Sequence, residues 1–143
     1  MNIDEMPTGP MMDALVAEEV MELRIRHRTD ILPRECEGGL PLFPETYEGT
    51  ILSPSTGVAE EVWVPALNYS GDMANAWEVV GKIHRLGHFL HLSYNGDKWL
   101  AVFVDKDTWD TWAEPGSAPT APLAICRAAY KLVEQMGDEH PGL

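Results

Sequence analysis

The residues of this 143-residue chain with the types and spacing for chemistry are five histidines, two cysteines, an acidic loop and one arginine set in an apolar helix. His84, His88 and His91 are spaced so that a continuous helix would gather three imidazoles on one face, as a zinc site needs. Gly87 ends the helical pattern between the first and second, and in the strand that follows positions three apart face opposite ways. Surface or interface histidines are therefore the expectation. Asp105, Asp107 and Asp110 offer carboxylate oxygens but lack the central glycine and the bidentate glutamate of a calcium loop. A solvated acidic loop is expected there, with Trp109 and Trp112 packed back on the domain or onto a partner subunit. Cys36 and Cys126 lie far apart with no metal or redox spacing, so both read as free thiols of a reducing cytoplasm, Cys126 buried and inert.

Arg127 is the strongest single candidate. Residues 117–133 (SAPTAPLAICRAAYKLV) run from a Pro-rich cap into an apolar helix with this arginine at its middle. At helical spacing it shares a flank with Leu123, Tyr130, Lys131 and Glu134. Two readings stand side by side: a surface arginine paired with Glu134 or laid along the helix, and a guanidinium fork for a phosphate, with aromatic rings nearby to stack a base. Tyr69, Tyr94, Trp99 and Phe103 are the rings for such a site, or fillers of the core, and Lys131 is the second cation. A different chemistry attaches to His27-Arg28-Thr29 and His91-Leu92-Ser93. These match the His-x-Thr/Ser pairs of two-histidine phosphoesterases, in which two imidazoles act as general acid and base across a cyclic phosphate.

Pattern and punctuation define the elements that position these residues. Pro10 opens a first helix, with Met12, Leu15, Val16, Val20 and Leu23 on one face and Asp13, Glu18 and Glu22 elsewhere, ending near Arg26. Residues 30–44 carry several Gly and Pro and no period, which marks an irregular connection. Residues 47–53 (YEGTILS) and 58–64 (VAEEVWV) flank the turn cluster PSTG and predict a β-hairpin closed by Pro65. Ser70 is the expected N-cap of a second helix with Asp72 in its first turn. Met73, Ala76, Trp77, Val80 and Ile83 or His84 form its stripe, and Gly87 stops it. Residues 88–94 and 98–104 flank Asn95-Gly96-Asp97, a strong hairpin signal. Both strands are apolar at nearly every position, as in a sheet covered on both faces. Thr120 caps a last helix with Ile125, Ala128 or Ala129, Leu132, Val133 and Met136 in its core stripe. The order helix-hairpin-helix-hairpin-helix predicts an α+β fold, with helices flanking a four-stranded, mainly antiparallel sheet, in one domain over residues 1–143.

The formal net charge of −13, with ten Lys and Arg against 23 Asp and Glu, excludes broad contact with a nucleic-acid duplex. It serves solubility, or an acidic face docks on a basic partner. No run is long and apolar enough to span a bilayer, and the acidic N-terminus lacks a signal-peptide core.

Three segments together resemble the phage ABA-sandwich domain family: residues 12–21 (MDALVAEEVM), 68–80 (NYSGDMANAWEVV) and 118–129 (APTAPLAICRAA). The resemblance spans nearly the whole chain in the right order and implies a phage or prophage protein with helices flanking a sheet. The connection over residues 30–44 and the loop over 109–114 look expanded relative to the family, and Gly71 stands where Ser or Thr is expected. A more remote similarity, in size, element order and the arginine-bearing last helix, is to phage anti-Thoeris sponge proteins. That similarity implies a homo-oligomer in the cytoplasm of the infected host, which sequesters a cyclic ADP-ribose isomer or a cyclic oligonucleotide without cleaving it or using a cofactor. Arg127 would then contact phosphate, and the second hairpin would supply stacking or hydrogen-bonding groups. The alternatives are a cyclic-nucleotide phosphoesterase using His27 and His91, an acidic inhibitor of a host protein, and a phage accessory protein without ligand.

Overall fold

The computed structural model describes residues 2–27 and 44–139, with side-chain surroundings for 2–26 and 44–136. Cys36, Thr29 and nearly all of the expected irregular connection lie outside the described residues. A short 3₁₀ turn, Ile3–Glu5, precedes α1 (Pro10–Leu15), which continues as a π-helical turn over Val16–Val20. Then follow β1 (Ile25–His27), β2 (Pro44–Leu52), β3 (Ala59–Pro65), α2 (Met73–Arg85), β4 (His88–Tyr94), β5 (Trp99–Asp105), β6 (Gly116–Ala118) and α3 (Ala121–Glu139). The α+β class, three helical segments and both hairpins agree with the pattern read from the residues.

The sheet does not. In place of one four-stranded sheet there are two antiparallel three-stranded sheets, β1-β2-β3 and β4-β5-β6. Each hairpin acquires a third strand three residues long, too short to carry a periodic signal. The first helix also ends early. Met21 N–H reaches back to Val16 O (2.9 Å) and Leu23 N–H to Ala17 O (2.8 Å), and Glu22 takes a left-handed φ of 58°. That break turns Ile25–His27 into a strand paired with Pro44–Thr46 instead of more helix.

The core forms where α3 lies on β5 and β6, with α2 packed on α3 and β4. From Leu123 to Ala129 every side chain of α3 is buried, as in a helix enclosed on all sides. Strand alternation places Ala101, Phe103, Gly116 and Ala118 on the α3 side of their sheet, all buried. Gly87, at φ 98°, stops α2 as expected. Asn95 Oδ1 accepts from the N–H groups of Asp97 (2.9 Å) and Lys98 (2.8 Å) and so closes the second hairpin.

Two expectations about the second helix are corrected. The N-cap is Asp72, whose carboxylate accepts from Ala74 N (2.8 Å) and Asn75 N (3.4 Å). Trp77 is exposed while Val79 is buried, because the buried stripe follows α3 and β4 and runs Ala76, Val79, Ile83. Ser70 instead joins Asp13, which is buried within α1 and not on its solvent face. Asp13 Oδ1 accepts from both Ser70 N (2.8 Å) and Ser70 Oγ (2.7 Å), and Gly9 N–H donates to Ser70 Oγ (3.1 Å). This latch ties the start of α1 to the entry of α2.

Burial pushes the Asp13 carboxyl above its ordinary value of 3.8, against the pull of the two Ser70 hydrogen bonds. A carboxyl raised in the folded state stabilises most below its unfolded pKa, and that contribution is lost as pH rises through the folded value. Asp13→Asn keeps an oxygen for Ser70 and is expected to stay within about 1 kcal/mol of the wild type at pH 7. Asp13→Ala strands a buried N–H and is expected to cost about 2–3 kcal/mol. Urea unfolding of the three proteins checks both, and lowering the pH toward 3.8 is expected to improve the wild type relative to Asp13→Asn.

Candidate functional site

The six residues singled out from the sequence do not meet in one place. Arg127 is 8% exposed, and its guanidinium is engaged with main chain: Nη1 donates to Ser117 O (2.6 Å) and Nη2 to Met6 O (3.0 Å). Its Nε is buried with no partner among the described residues. One turn on, Lys131 Nζ pairs with Asp4 (2.8 Å) and donates to Pro115 O (3.1 Å). The two cations of α3 thus clamp the same pair of segments, the N-terminal residues 4–6 and the approach to β6. Arg127 is neither a surface arginine on Glu134 nor an open fork. Phe103 is a core residue, and Trp99 packs on the core with the exposed Tyr94 ring 5.1 Å away at the end of the second hairpin.

The histidines also separate. His84 stacks on Phe89 at 5.1 Å. His88 is buried edge-on to Trp112 at 5.0 Å, with Nδ1 unpartnered among the described residues. Its burial lowers its pKa, which favours the neutral ring. His91 is exposed, so His88 and His91 face opposite ways as strand geometry requires. His27 belongs to the other sheet from His91. In the acidic loop Trp112 packs back on the domain and Trp109 does not: it is 72% exposed with a left-handed φ of 65°. Hydrogen bonds from the Asp107 and Thr108 N–H groups hold the Asp105 carboxyl below its ordinary range. Cys126 is a free, buried thiol whose pKa burial pushes up.

Tyr69 lines a concave site. A cleft of about 560 Å³ lies between the first sheet and α2, lined among others by Met21, Leu23, Tyr47, Val64, Leu67 and Tyr69. Thr46, Glu48, Glu78 and Arg85 supply its polar groups. The π-turn and the left-handed Glu22 aim Met21 and Leu23 at this wall, and Lys82 of α2 holds Glu22 at 2.6 Å. Backbone departures of this kind concentrate at functional sites. Arg85 is exposed and makes no ion pair among the described residues. Tyr69 is buried, and its hydroxyl pKa is pushed up to about 12, chiefly by that burial.

The opposite face of the same sheet has a cationic ladder that the sequence reading missed. Arg24 lies over the rings of Tyr47 (4.9 Å) and Trp63 (5.3 Å), and Arg26 over Trp63 (4.4 Å). Arg24 pairs with Glu61 at 3.0 Å and Arg26 with Glu45 at 3.1 Å, so both charges are already neutralised. The alternation Arg24, Arg26 was the available signal, hidden by assigning those residues to the end of a helix.

Helices packed on antiparallel sheets, with a cleft between the first sheet and α2, define a small α+β domain. The chain belongs to the Phage ABA sandwich domain family, whose sequence profile matches residues 14–130. It is accordingly a small phage protein, and the matched span runs from α1 into α3 and takes in all six strands. Searches of curated proteins and of solved structures find no match. Among the described residues no helix is long and apolar enough to cross a membrane.

Proposed function

We propose that this phage protein is a stoichiometric trap for a nucleotide immune signal, a cyclic ADP-ribose isomer or a cyclic oligonucleotide, acting in the cytoplasm of the infected host. The cleft carries this reading. Its volume of about 560 Å³ falls in the range of small-molecule sites, roughly 300–1,000 Å³. Met21, Leu23, Val64 and Leu67 offer an apolar wall for a base, Arg85 at the rim a planar fork for a phosphate, and Glu48 and Glu78 acceptors for base amino or ribose hydroxyl groups. Binding of this kind needs no nucleophile and no cofactor, and no catalytic step is assigned.

The test is incubation with cyclic ADP-ribose isomers and cyclic di- and trinucleotides, removal of free ligand, heat denaturation and mass analysis. Intact nucleotide is expected in the released fraction. Arg85→Glu is expected to weaken retention at least about tenfold with the fold preserved. Retention of no nucleotide overturns the reading, and steady conversion of the ligand replaces it with a phosphoesterase.

A second reading rests on a different feature. Ile51, Leu52 and Val58 are exposed at the far end of the β2–β3 hairpin, flanked by the exposed Glu60 and Glu61. An apolar tip with acidic flanks suits an inhibitor that docks on a basic host protein. That reading predicts capture of a host protein that weakens with salt, and no nucleotide affinity.

A further inference from the structure

Gly81 lies in the interior of α2 and lines the cleft. A glycine at such a place weakens a helix, because it loses more chain entropy on folding than an alanine would. Nothing within the described chain calls for it. Gly81 has no left-handed φ, so its backbone suits any residue. A Cβ there would meet only Arg85 Nη1, at 3.8 Å, which is ordinary contact among the described residues. At Gly116, by contrast, a Cβ collides with the main chain of α3. What the missing side chain supplies at Gly81 is a bare strip of helix backbone in the wall of the cleft. Close approach of a ligand to backbone is one of the uses of glycine.

The neighbours of the strip say what lies on it. Glu78 and Arg85, three residues before Gly81 and four after, flank it on the same helix face, and all three line the cleft. Arg85 leans back toward the start of the helix, as long helical side chains do, and so brings Nη1 to the border of the strip. Met21, Leu23 and Val64 supply apolar surface to the same cleft. Along α2 the groups therefore run carboxylate, flat uncovered strip, guanidinium. A planar ring fits the strip, an amino group on its edge donates to the carboxylate, and a phosphate takes the guanidinium. Resting on the cleft as the nucleotide site, we propose that Gly81 seats the base of the ligand and that Glu78 selects a base with an exocyclic amino group, adenine or guanine. Hypoxanthine is disfavoured there. It turns a carbonyl oxygen to Glu78 where adenine has its amino group, and a C–H where guanine has its own.

The probes are cyclic ADP-ribose, cyclic di-AMP and cyclic di-GMP, with cyclic IDP-ribose and cyclic di-IMP as their hypoxanthine counterparts. Gly81→Ala is expected to raise Tm by roughly 3 °C, since it restores helix propensity without a clash. The same variant is expected to weaken retention of the amino-bearing probes about tenfold. A glycine needed only for folding would move Tm the other way. Gly81→Leu, which fills the strip, is expected to weaken retention at least about a hundredfold, with circular dichroism reporting its fold. The wild type is expected to hold the amino-bearing probes at least about tenfold more tightly than their hypoxanthine counterparts, and Glu78→Ala to remove that preference. Nuclear magnetic resonance of the wild type supplies a readout free of mutation, in which the ring current of the bound base shifts the Gly81 resonances. Gly81 variants that fold and retain the probes as the wild type does overturn the proposal and leave the trap standing. A Gly81→Ala protein that melts below the wild type also overturns it. Equal retention of the hypoxanthine probes overturns the assignment to Glu78. A wild type that holds none of the three amino-bearing probes overturns the proposal as well, and one that holds no nucleotide of any kind removes the reading on which it rests.

Discussion

Arg127→Ala is expected to lower the stability of the protein by about 3–4 kcal/mol, and through that loss to lower Tm by roughly 10 °C. The guanidinium is 8% exposed and gives one hydrogen bond each to Ser117 O and Met6 O, residues that are 10 and 121 positions away in sequence. Removing it leaves both carbonyls without their charged donor and opens a cavity in the middle of α3. Arg127→Lys carries a single nitrogen that reaches one carbonyl, and an intermediate loss is expected. Thermal and urea unfolding measure the series, with nucleotide retention followed in parallel. An unchanged Tm together with lost retention would return Arg127 to the role of a ligand contact. The expected pattern is the reverse, because the ligand groups proposed here belong to the cleft.

Gly116→Ala is expected to be at least as damaging, costing more than about 3 kcal/mol as an overpacked contact that cannot relax. A Cβ at this position would collide with Ala124 O and lie 2.5 Å from Ala128 N and 3.0 Å from Ala128 Cβ. Two of those atoms belong to the main chain of α3, so relief requires β6 to lift away from the helix. Lifting β6 also pulls Ser117 O from Arg127. The two sites share one seam, and the double variant is expected to be less destabilised than the sum of the singles. Chemical denaturation of the four proteins measures that coupling, and full additivity would show that Gly116 and Arg127 act separately.

Much of the architecture was legible in the residues. Pro10 and Gly87 bound their helices as read, and Asn95-Gly96-Asp97 placed the second hairpin. The apolar run around Arg127 marked a helix enclosed by the rest of the chain. Each is a local signal, in which the residue's own φ, missing N–H or side-chain acceptor acts within a few positions. The short strands β1 and β6 gave no such signal, and the break at Glu22 is a π-turn with no glycine or proline to announce it. Of the candidate site, Tyr69 reached the cleft, while Phe103 went to the core and Lys131 to Asp4.

The sequence by itself determined the α+β class, the turn that joins β4 to β5, and an acidic chain with two strands apolar at nearly every position. Tertiary structure alone decided that the strands divide into two sheets, that Asp13 and Arg127 turn inward to hold distant backbone, and that Arg85 is left at the mouth of a cleft. The physical reason is the range of the interactions. Caps, turns and periodicity act between neighbours in sequence, whereas a buried charge takes whatever partner the packed chain brings to it, from 57 positions away for Asp13 and 121 for Arg127.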